Sequence, residues 1–298
     1  MAHLTYTRTP VTEVHDPVLE RAGVRVLVKR EDLNHPYVSG NKWWKLKYNI
    51  VAALQQQHDT LLTFGGAYSN HLYATAAAAR ELGLKSIAIV RGEMTLPLNP
   101  TLSFVRECGM QLHYVSRERY RDKATIEFQQ WLQENFDRAF VIPEGGTNDL
   151  AIKGCGEFSR LIQQEVNFDF IALPVGTGGT LAGIISGLHD NQIAVGYSVL
   201  KGGEFLHDEV ARWLTRSECI HQQWRIVTAY HQGGYGKKTA ALMQFMQQQQ
   251  AAHRLPLDHV YTGKLCFGLW QEIEQGIYPR GSTILMLHTG GLQGTLSK

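Results

Sequence analysis

The sequence predicts an α/β protein built on two doubly wound, mainly parallel sheets. Three observations predict it. From Asp59 onward, short apolar runs alternate with amphipathic stretches, the pattern of strands each followed by a helix. Several of the apolar runs end in glycine and small polar residues, where open parallel sheets bind ligands. The 298 residues also carry more alternations than one doubly wound sheet ordinarily takes, so two domains share them.

The elements follow in order. "DTLLTFGG" reads as a buried strand and "SNHLYATAAAARELG" as the helix after it. "KSIAIVRG" with "NPTLSFVRECG" repeats the pair, as does "QLHYVSR" with "DKATIEFQQWLQENF". "AFVIPEGG" leads into "DLAIKGCGEFSRLIQQEV", and "FDFIALPVGTGG" into "TLAGIISGLH". "IAVGYSVLKGG" with "FLHDEVARWL" and "WRIVTAYHQGG" with "TAALMQFMQQQQAAH" complete the series, and "STILMLHTGG" is a last strand ending in a glycine turn. The glutamine run Gln247–Gln250 lies inside a helical pattern and reads as a solvated face.

Composition narrows the function. Hydrophobic residues make up 44% of the chain, enough for a substantial core. A net charge of +2, with no long run of one sign, gives no footprint for nucleic acid or an anionic membrane. The cysteines, Cys108, Cys155, Cys219 and Cys266, form no C-x-x-C pair and read as reduced thiols. No signal pattern opens the sequence and no apolar run is long enough for a bilayer, so a cytoplasmic protein is expected. The histidines show no metal-ligand spacing, and no metal is expected. No G-x-S-x-G is present, which counts against an α/β-hydrolase.

Four features can carry chemistry. In "SGNKWWKLKYN", Lys42 and Lys45 fall on one side of a helix. Either the helix is a solvated basic one with its tryptophans on the core, or one lysine is reactive; a lysine amine condenses with aldehydes, pyridoxal phosphate among them. "GTGGT", Gly176 to Thr180, follows an apolar run and opens a helix, so its backbone amides suit phosphate, unless the glycines serve packing alone. In "GGAYSNHL", Ser69 reads as a helix N-cap and Asn70 as its first residue. The cap hydroxyl and amides suit a substrate carboxylate, and Asn70 a cofactor oxygen. Tyr235 in "GGYG" and Tyr261 in "VYTGK" sit beside glycines, where phenols either pack or, with lowered pKa values, act as acid or base. Pyridoxal phosphate needs an amine, a phosphate cradle, partners for its ring and a carboxylate site for its substrate. The chain offers a candidate for each.

In their order, "VKREDLN…SGNKWWKLKY", "FGGAYSNH", "PEGGTN", "GTGGTLAG", "GGYG", "VYTGK" and "HTGG" resemble the 1-aminocyclopropane-1-carboxylate (ACC) deaminase/D-cysteine desulfhydrase family, over residues 8 to 291. The resemblance implies a tryptophan-synthase-β-like fold (fold type II) with pyridoxal 5'-phosphate in the cleft between two domains. Residues 1–52 and 155–298 would form the large cofactor-binding domain, and 53–154 a small inserted one. Lys42 would bear the cofactor, Gly176, Thr177, Gly178, Gly179 and Thr180 would hold its phosphate, and Asn70 would meet the ring hydroxyl. Thr262 would meet the ring nitrogen. Ser69 would take the substrate carboxylate, with Tyr68, Asn70, His71 and Thr289 around the substrate, and Tyr235 and Tyr261 would be the two active-site phenols. A homodimer is the family's expectation.

The activity is implied by a pair of residues. ACC deaminases have Glu after the tyrosine of "VYTGK" and Leu in the "HTGG" turn; Thr262 and Thr289 resemble the D-cysteine desulfhydrase pair. A hydroxyl at the ring nitrogen gives a weaker electron sink, suited to β-elimination from a small amino acid to a 2-oxo acid and ammonia. ACC deamination, racemisation and a non-catalytic cofactor-binding role are the alternatives. The sequence departs from the family at Ser39, Trp44, Lys47 and Tyr68, and in "HLYATAAAA" after Asn70. The chain also ends seven residues after "HTGG", sooner than is usual in the family. Trp44, where the family has Arg, and Tyr68 either line the substrate pocket or pack around it.

Overall fold

A computed structural model describes residues 4–136 and 138–294. The strands among them are β1 (Val11–Val14), β2 (Arg25–Lys29), β3 (Thr60–Gly65), β4 (Lys85–Arg91), β5 (Gln111–Val115), β6 (Ala139–Ile142), β7 (Phe170–Val175), β8 (Ile193–Ser198), β9 (Trp224–Val227) and β10 (Thr283–Leu287). They form two sheets, a six-stranded one of order β1-β2-β10-β7-β8-β9 and a four-stranded one of order β5-β4-β3-β6. Every pairing is parallel except β1 with β2.

The helices are α1 (Pro17–Ala22), α2 (Asn41–Gln55), α3 (Asn70–Glu81), α4 (Pro100–Glu107), α5 (Arg117–Arg121), α6 (Ile126–Phe136), α7 (Asp149–Gln163), α8 (Gly179–Ile185), α9 (Leu206–Arg216), α10 (Ala240–His253) and α11 (Thr262–Glu274). Alternation within the strands explains how the smaller sheet is covered. Leu62, Phe64, Ile87 and Ile89 turn to one face, toward Phe128 and Leu132 of α6. Ala88 and Val90 turn to the other, toward Leu72 of α3 and Leu102 and Val105 of α4.

Two expectations change. The rhythm that begins at Asp59 is preceded by β1, α1 and β2, which add the antiparallel edge; "VTEV" is too polar and short to announce a strand. The glutamine run is not a wholly solvated face, because Gln249 is buried.

The topology sends the chain from α2 into β3 and returns it to the larger sheet through α7 and β7. The turns after β3, β6, β7 and β10 therefore come from two sheets and meet at one place.

Candidate active site

Lys42 is placed by the turn before α2. Gly40, the N-cap, has φ +70° and ψ −145°, and a Cβ there would stand 1.9 Å from the carbonyl oxygen of Thr289. Only glycine allows that approach. Asn34 grips the turn from both sides: its Oδ1 accepts from the Gly40 amide at 2.9 Å, and its Nδ2 donates to the Gly40 carbonyl at 3.0 Å. The "SGN" and "HTGG" motifs are thus one packed unit, and Lys42 leaves it in the first turn of α2.

A cleft with about 530 Å³ of empty space opens there, lined by Asn41, Lys42, Lys45, Asn70, Gly145, Gly176 to Gly178, Thr180, Tyr261, Thr289 and Gly290. Of the residues expected from sequence, Lys42, Asn70, Gly176, Thr177, Gly178, Thr180, Tyr261 and Thr289 meet in it. Gly179 sits within the same turn as Gly178, against Thr147. Ser69 caps α3, its hydroxyl accepting from the amides of His71 and Leu72 at 3.2 Å each. The side chain of Asn70 accepts at Oδ1 from Gln293 at 2.6 Å.

The electrostatics single out Lys42. Its amine lies in the positive end of a helix dipole, a poor place for a cation, and its one hydrogen bond among the described residues is a long 3.4 Å contact to the Gly145 carbonyl. Burial, then the charge of Lys45, hold its pKa well below the ordinary lysine value. Lys45 donates to the same carbonyl at 2.8 Å and to Thr147 Oγ1 at 2.9 Å, and burial pulls its pKa down to about 8. The solvated basic helix is therefore corrected: Lys42 and Lys45 both face the cleft, Lys45 buried and Lys42 half-buried, while Lys47, paired with Glu157, is partly exposed. The spacing placed Lys45 beside Lys42, but its burial depends on α7 and the Gly145 turn, which lie far away in sequence.

The tryptophans take the opposite face of α2. Trp44 is buried, stacked on Phe158 with ring centroids 4.8 Å apart, and its Nε1 donates to the Glu31 carboxylate at 2.8 Å. It packs behind the site and does not line the cleft. Tyr68 is 70% exposed at the tip of the "GGAYSN" loop.

Besides Ser69, Tyr68 and Gly179, three more expected residues stand outside the cleft lining. His71 is buried, with Nε2 2.8 Å from Thr63 Oγ1. The Thr63 proton goes to the Ile142 carbonyl, so His71 Nε2 is the donor and its buried Nδ1 is an acceptor with no partner among the described residues. Burial first, then Lys42 and Lys45, lower the His71 pKa and keep it neutral. Thr262 is fully buried: its hydroxyl donates to Asp258 Oδ1 at 2.8 Å and accepts from the Asp258 amide at 3.0 Å. It can offer a ligand only a remaining lone pair. Tyr235, the third, holds its hydroxyl 3.5 Å from that of Tyr261.

The phenols also correct an expectation. Tyr235 is 46% exposed but partial desolvation of its hydroxyl raises its pKa, and burial with the neighbouring Tyr235 raises that of Tyr261 well above the ordinary value. Both stay protonated near neutral pH, so they suit the role of acid and not of base.

The residues fit pyridoxal phosphate. Gly178 has φ +78° and caps α8 without a side-chain bond, so the first-turn amides, which have no partner inside a helix, remain open to an anion beside the Lys42 amine.

Comparisons place the chain among known proteins. The sequence model of a family described as "Pyridoxal-phosphate dependent enzyme" matches residues 3–290. A mitochondrial bifunctional D-cysteine desulfhydrase/1-aminocyclopropane-1-carboxylate deaminase of Arabidopsis thaliana is 32% identical over 322 residues, spanning 100% of this chain and 79% of its own. A putative 1-aminocyclopropane-1-carboxylate deaminase of Pyrococcus horikoshii is 31% identical over 284 residues, 92% of this chain and 86% of its own. A crystal structure described as an ACC deaminase homologue superposes with a TM-score of 0.84 at 29% identity, covering 98% of this chain and 92% of that one. Threonine deaminase isoform 2 from Solanum lycopersicum does so with a TM-score of 0.70 at 18% identity, covering 96% and 80%, a likeness of fold alone. The expected fold class, two mainly parallel α/β sheets of fold type II, is borne out.

Proposed function

The chain belongs to the family of pyridoxal-phosphate-dependent enzymes, and from that premise we propose that it is a lyase for small amino acids, eliminating a β-substituent and then, by hydrolysis with one water, releasing a 2-oxo acid and ammonia. Its cofactor is pyridoxal 5'-phosphate. D-cysteine desulfhydration is the reaction that Thr262 and Thr289 favour, and the name of the Arabidopsis relative is consistent with it. The observation that carries the proposal is the Lys42 amine, its pKa drawn well below the ordinary lysine value by burial, set in one cleft with an open glycine turn and a protonated phenol.

The side chains take these roles. The Ser69 hydroxyl and the first-turn amides of α3 receive the substrate carboxylate, and Asn70 would meet the ring hydroxyl of the cofactor. Lys42 Nζ, uncharged, accepts the α-proton. Tyr261 Oη, or Tyr235 Oη behind it, gives a proton to the departing group. Pyridoxal phosphate, when bound, takes up the electron pair left on the α-carbon. Thr262 carries no charge of its own, and the Asp258 carboxylate reaches it only through a hydroxyl. That favours elimination over the more demanding opening of a ring without an α-proton.

The same reading divides the chain into a cofactor-binding part, 1–52 with 155–298, and an inserted part, 53–154. Membership of the strands in two sheets supports that division. By resemblance the protein is a homodimer, and by its scattered cysteines, read as reduced thiols, a cytoplasmic one.

Purified protein should be yellow, and borohydride should fix the cofactor on the peptide that contains Lys42. Given D-cysteine, L-cysteine and ACC, it should release sulfide and pyruvate from D-cysteine fastest. A preference for ACC, yielding 2-oxobutyrate, would turn the choice to deamination, the activity in the names of the archaeal relatives. A colourless protein that the cofactor cannot reconstitute would overturn the reading.

A further inference from the structure

Lys264 is a buried cation that the chemistry above does not use. It lies on α11 three residues after Tyr261 and is 1% exposed. Among the described residues no carboxylate forms an ion pair with it. Its ammonium instead donates to two carbonyls, Gly234 at 2.6 Å and Val199 at 3.4 Å. Burial pulls its pKa down to about 8, with Asp258 working the other way. Taking an ammonium out of water without a counter-charge is unfavourable, so its place calls for an explanation.

The explanation lies in what Gly234 precedes. Tyr235 stands in a loop between β9 and α10 in which three of four successive residues, Gly233, Gly234 and Gly236, have no side chain to anchor it. Within residues 231–238, backbone bonds close the turn on itself, from Gly234 to His231 and from Lys237 to Gly234. The Thr239 hydroxyl bonds Gln232 at the base of the loop. The Gly233 amide also donates to His231 Nδ1 within the loop. The remaining hydrogen bonds that reach the loop from outside it, among the described residues, come from α11 and its N-cap: Lys264 to the Gly234 carbonyl, and the long 3.5 Å contact of Tyr261 with Tyr235. The start of α11 is itself firm, because the Asp258 carboxylate accepts the amides of Val260, Tyr261 and Thr262 at 2.8 to 2.9 Å.

We propose that Lys264 is a positioning residue: its ammonium clamps the Gly234 carbonyl and so sets the Tyr235 phenol against Tyr261 at the cleft. One helix then places both hydroxyls, the first by carrying Tyr261 and the second by holding the loop of Tyr235. The proposal rests on the reading in which these phenols serve the reaction. A lysine that merely satisfied two buried carbonyls would stabilise the fold without being tied to Tyr235 in particular.

A double-mutant cycle on the holoenzyme tests it, with Lys264→Met, Tyr235→Phe and the pair, measured as kcat and KM for the amino acid turned over fastest. Lys264→Met should lower kcat at least tenfold and shift KM less. Tyr235→Phe should cost at least tenfold alone but less than twofold in the Met background, since the phenol there is already misplaced. Lys264→Gln, which keeps a donor for Gly234, should regain part of the loss and guards against poor folding of the Met variant. Independently of turnover, hydrogen exchange of residues 232–238 in the cofactor-free protein should quicken in Lys264→Met while that of α9 stays unchanged. Independent, multiplicative losses from the two substitutions, or unchanged exchange of the loop, would overturn the proposal. A Tyr235→Phe variant with full activity would instead remove the reading it rests on.

Discussion

Lys42 and Lys45, one turn apart on α2, aim their amines at a single carbonyl oxygen, that of Gly145, from 3.4 and 2.8 Å. Lys45 is the better placed of the two and has Thr147 besides. It therefore keeps its proton more readily, and its charge opposes a second proton on Lys42. The arrangement makes the Lys42 amine easier to deprotonate than an ordinary lysine.

Removing that neighbouring charge should make Lys42 easier to protonate. In Lys45→Met, the pH at which the cofactor-free protein reacts half-maximally with pyridoxal, trapped by borohydride on the Lys42 peptide, should move up. An unchanged or lowered midpoint would show that Lys45 does not tune its neighbour.

Stability should carry the same signature. A lysine at about 8 in the folded chain and 10.5 unfolded leaves the unfolded chain holding more protons between those values. Stability attributable to Lys45 therefore rises with pH across that window and is lowest below pH 8. At about 1.4 kcal/mol per pH unit, the gain relative to Lys45→Met is on the order of 3 kcal/mol by pH 10.5. Urea denaturation of both proteins from pH 7 to 10.5 measures it, and parallel curves would contradict the burial of a charged Lys45.

Trp44→Phe should weaken the fold and spare the chemistry. The phenyl ring keeps the stack on Phe158, but Glu31 loses the indole donor and retains Thr9, Tyr6 and Asn34. Losing one donor to a buried carboxylate costs about 1–3 kcal/mol, seen as a lower urea midpoint with kcat within about twofold of wild type. A large fall in kcat at unchanged stability would place Trp44 in the reaction after all.

The site was partly legible in the chain. Glycine turns after apolar runs marked where the backbone closes on a ligand, and Lys42, Asn70, Thr289 and the "GTGGT" turn come to one cleft. What the pattern could not carry was the direction of individual side chains. Tyr68 and Trp44 were both candidates for the pocket wall; one points to solvent and the other into the core behind α2. Lys45 looked like a surface residue, and Thr262 looked free to meet a ring nitrogen when its proton is committed to Asp258.

The sequence by itself determined the alternation of strands and helices, the glycine turns and the order of the motifs, because apolar periodicity and positive φ are local demands on each residue. The tertiary structure alone decided the charge states and the partners. A pKa depends on burial and on groups brought near from distant parts of the chain: Lys45 and Gly145 are 100 positions apart, and Lys264 and Gly234 are 30. Two lysines of one type become an amine that sheds its proton readily and the neighbouring charge that favours this only when the turn after β6 closes over them.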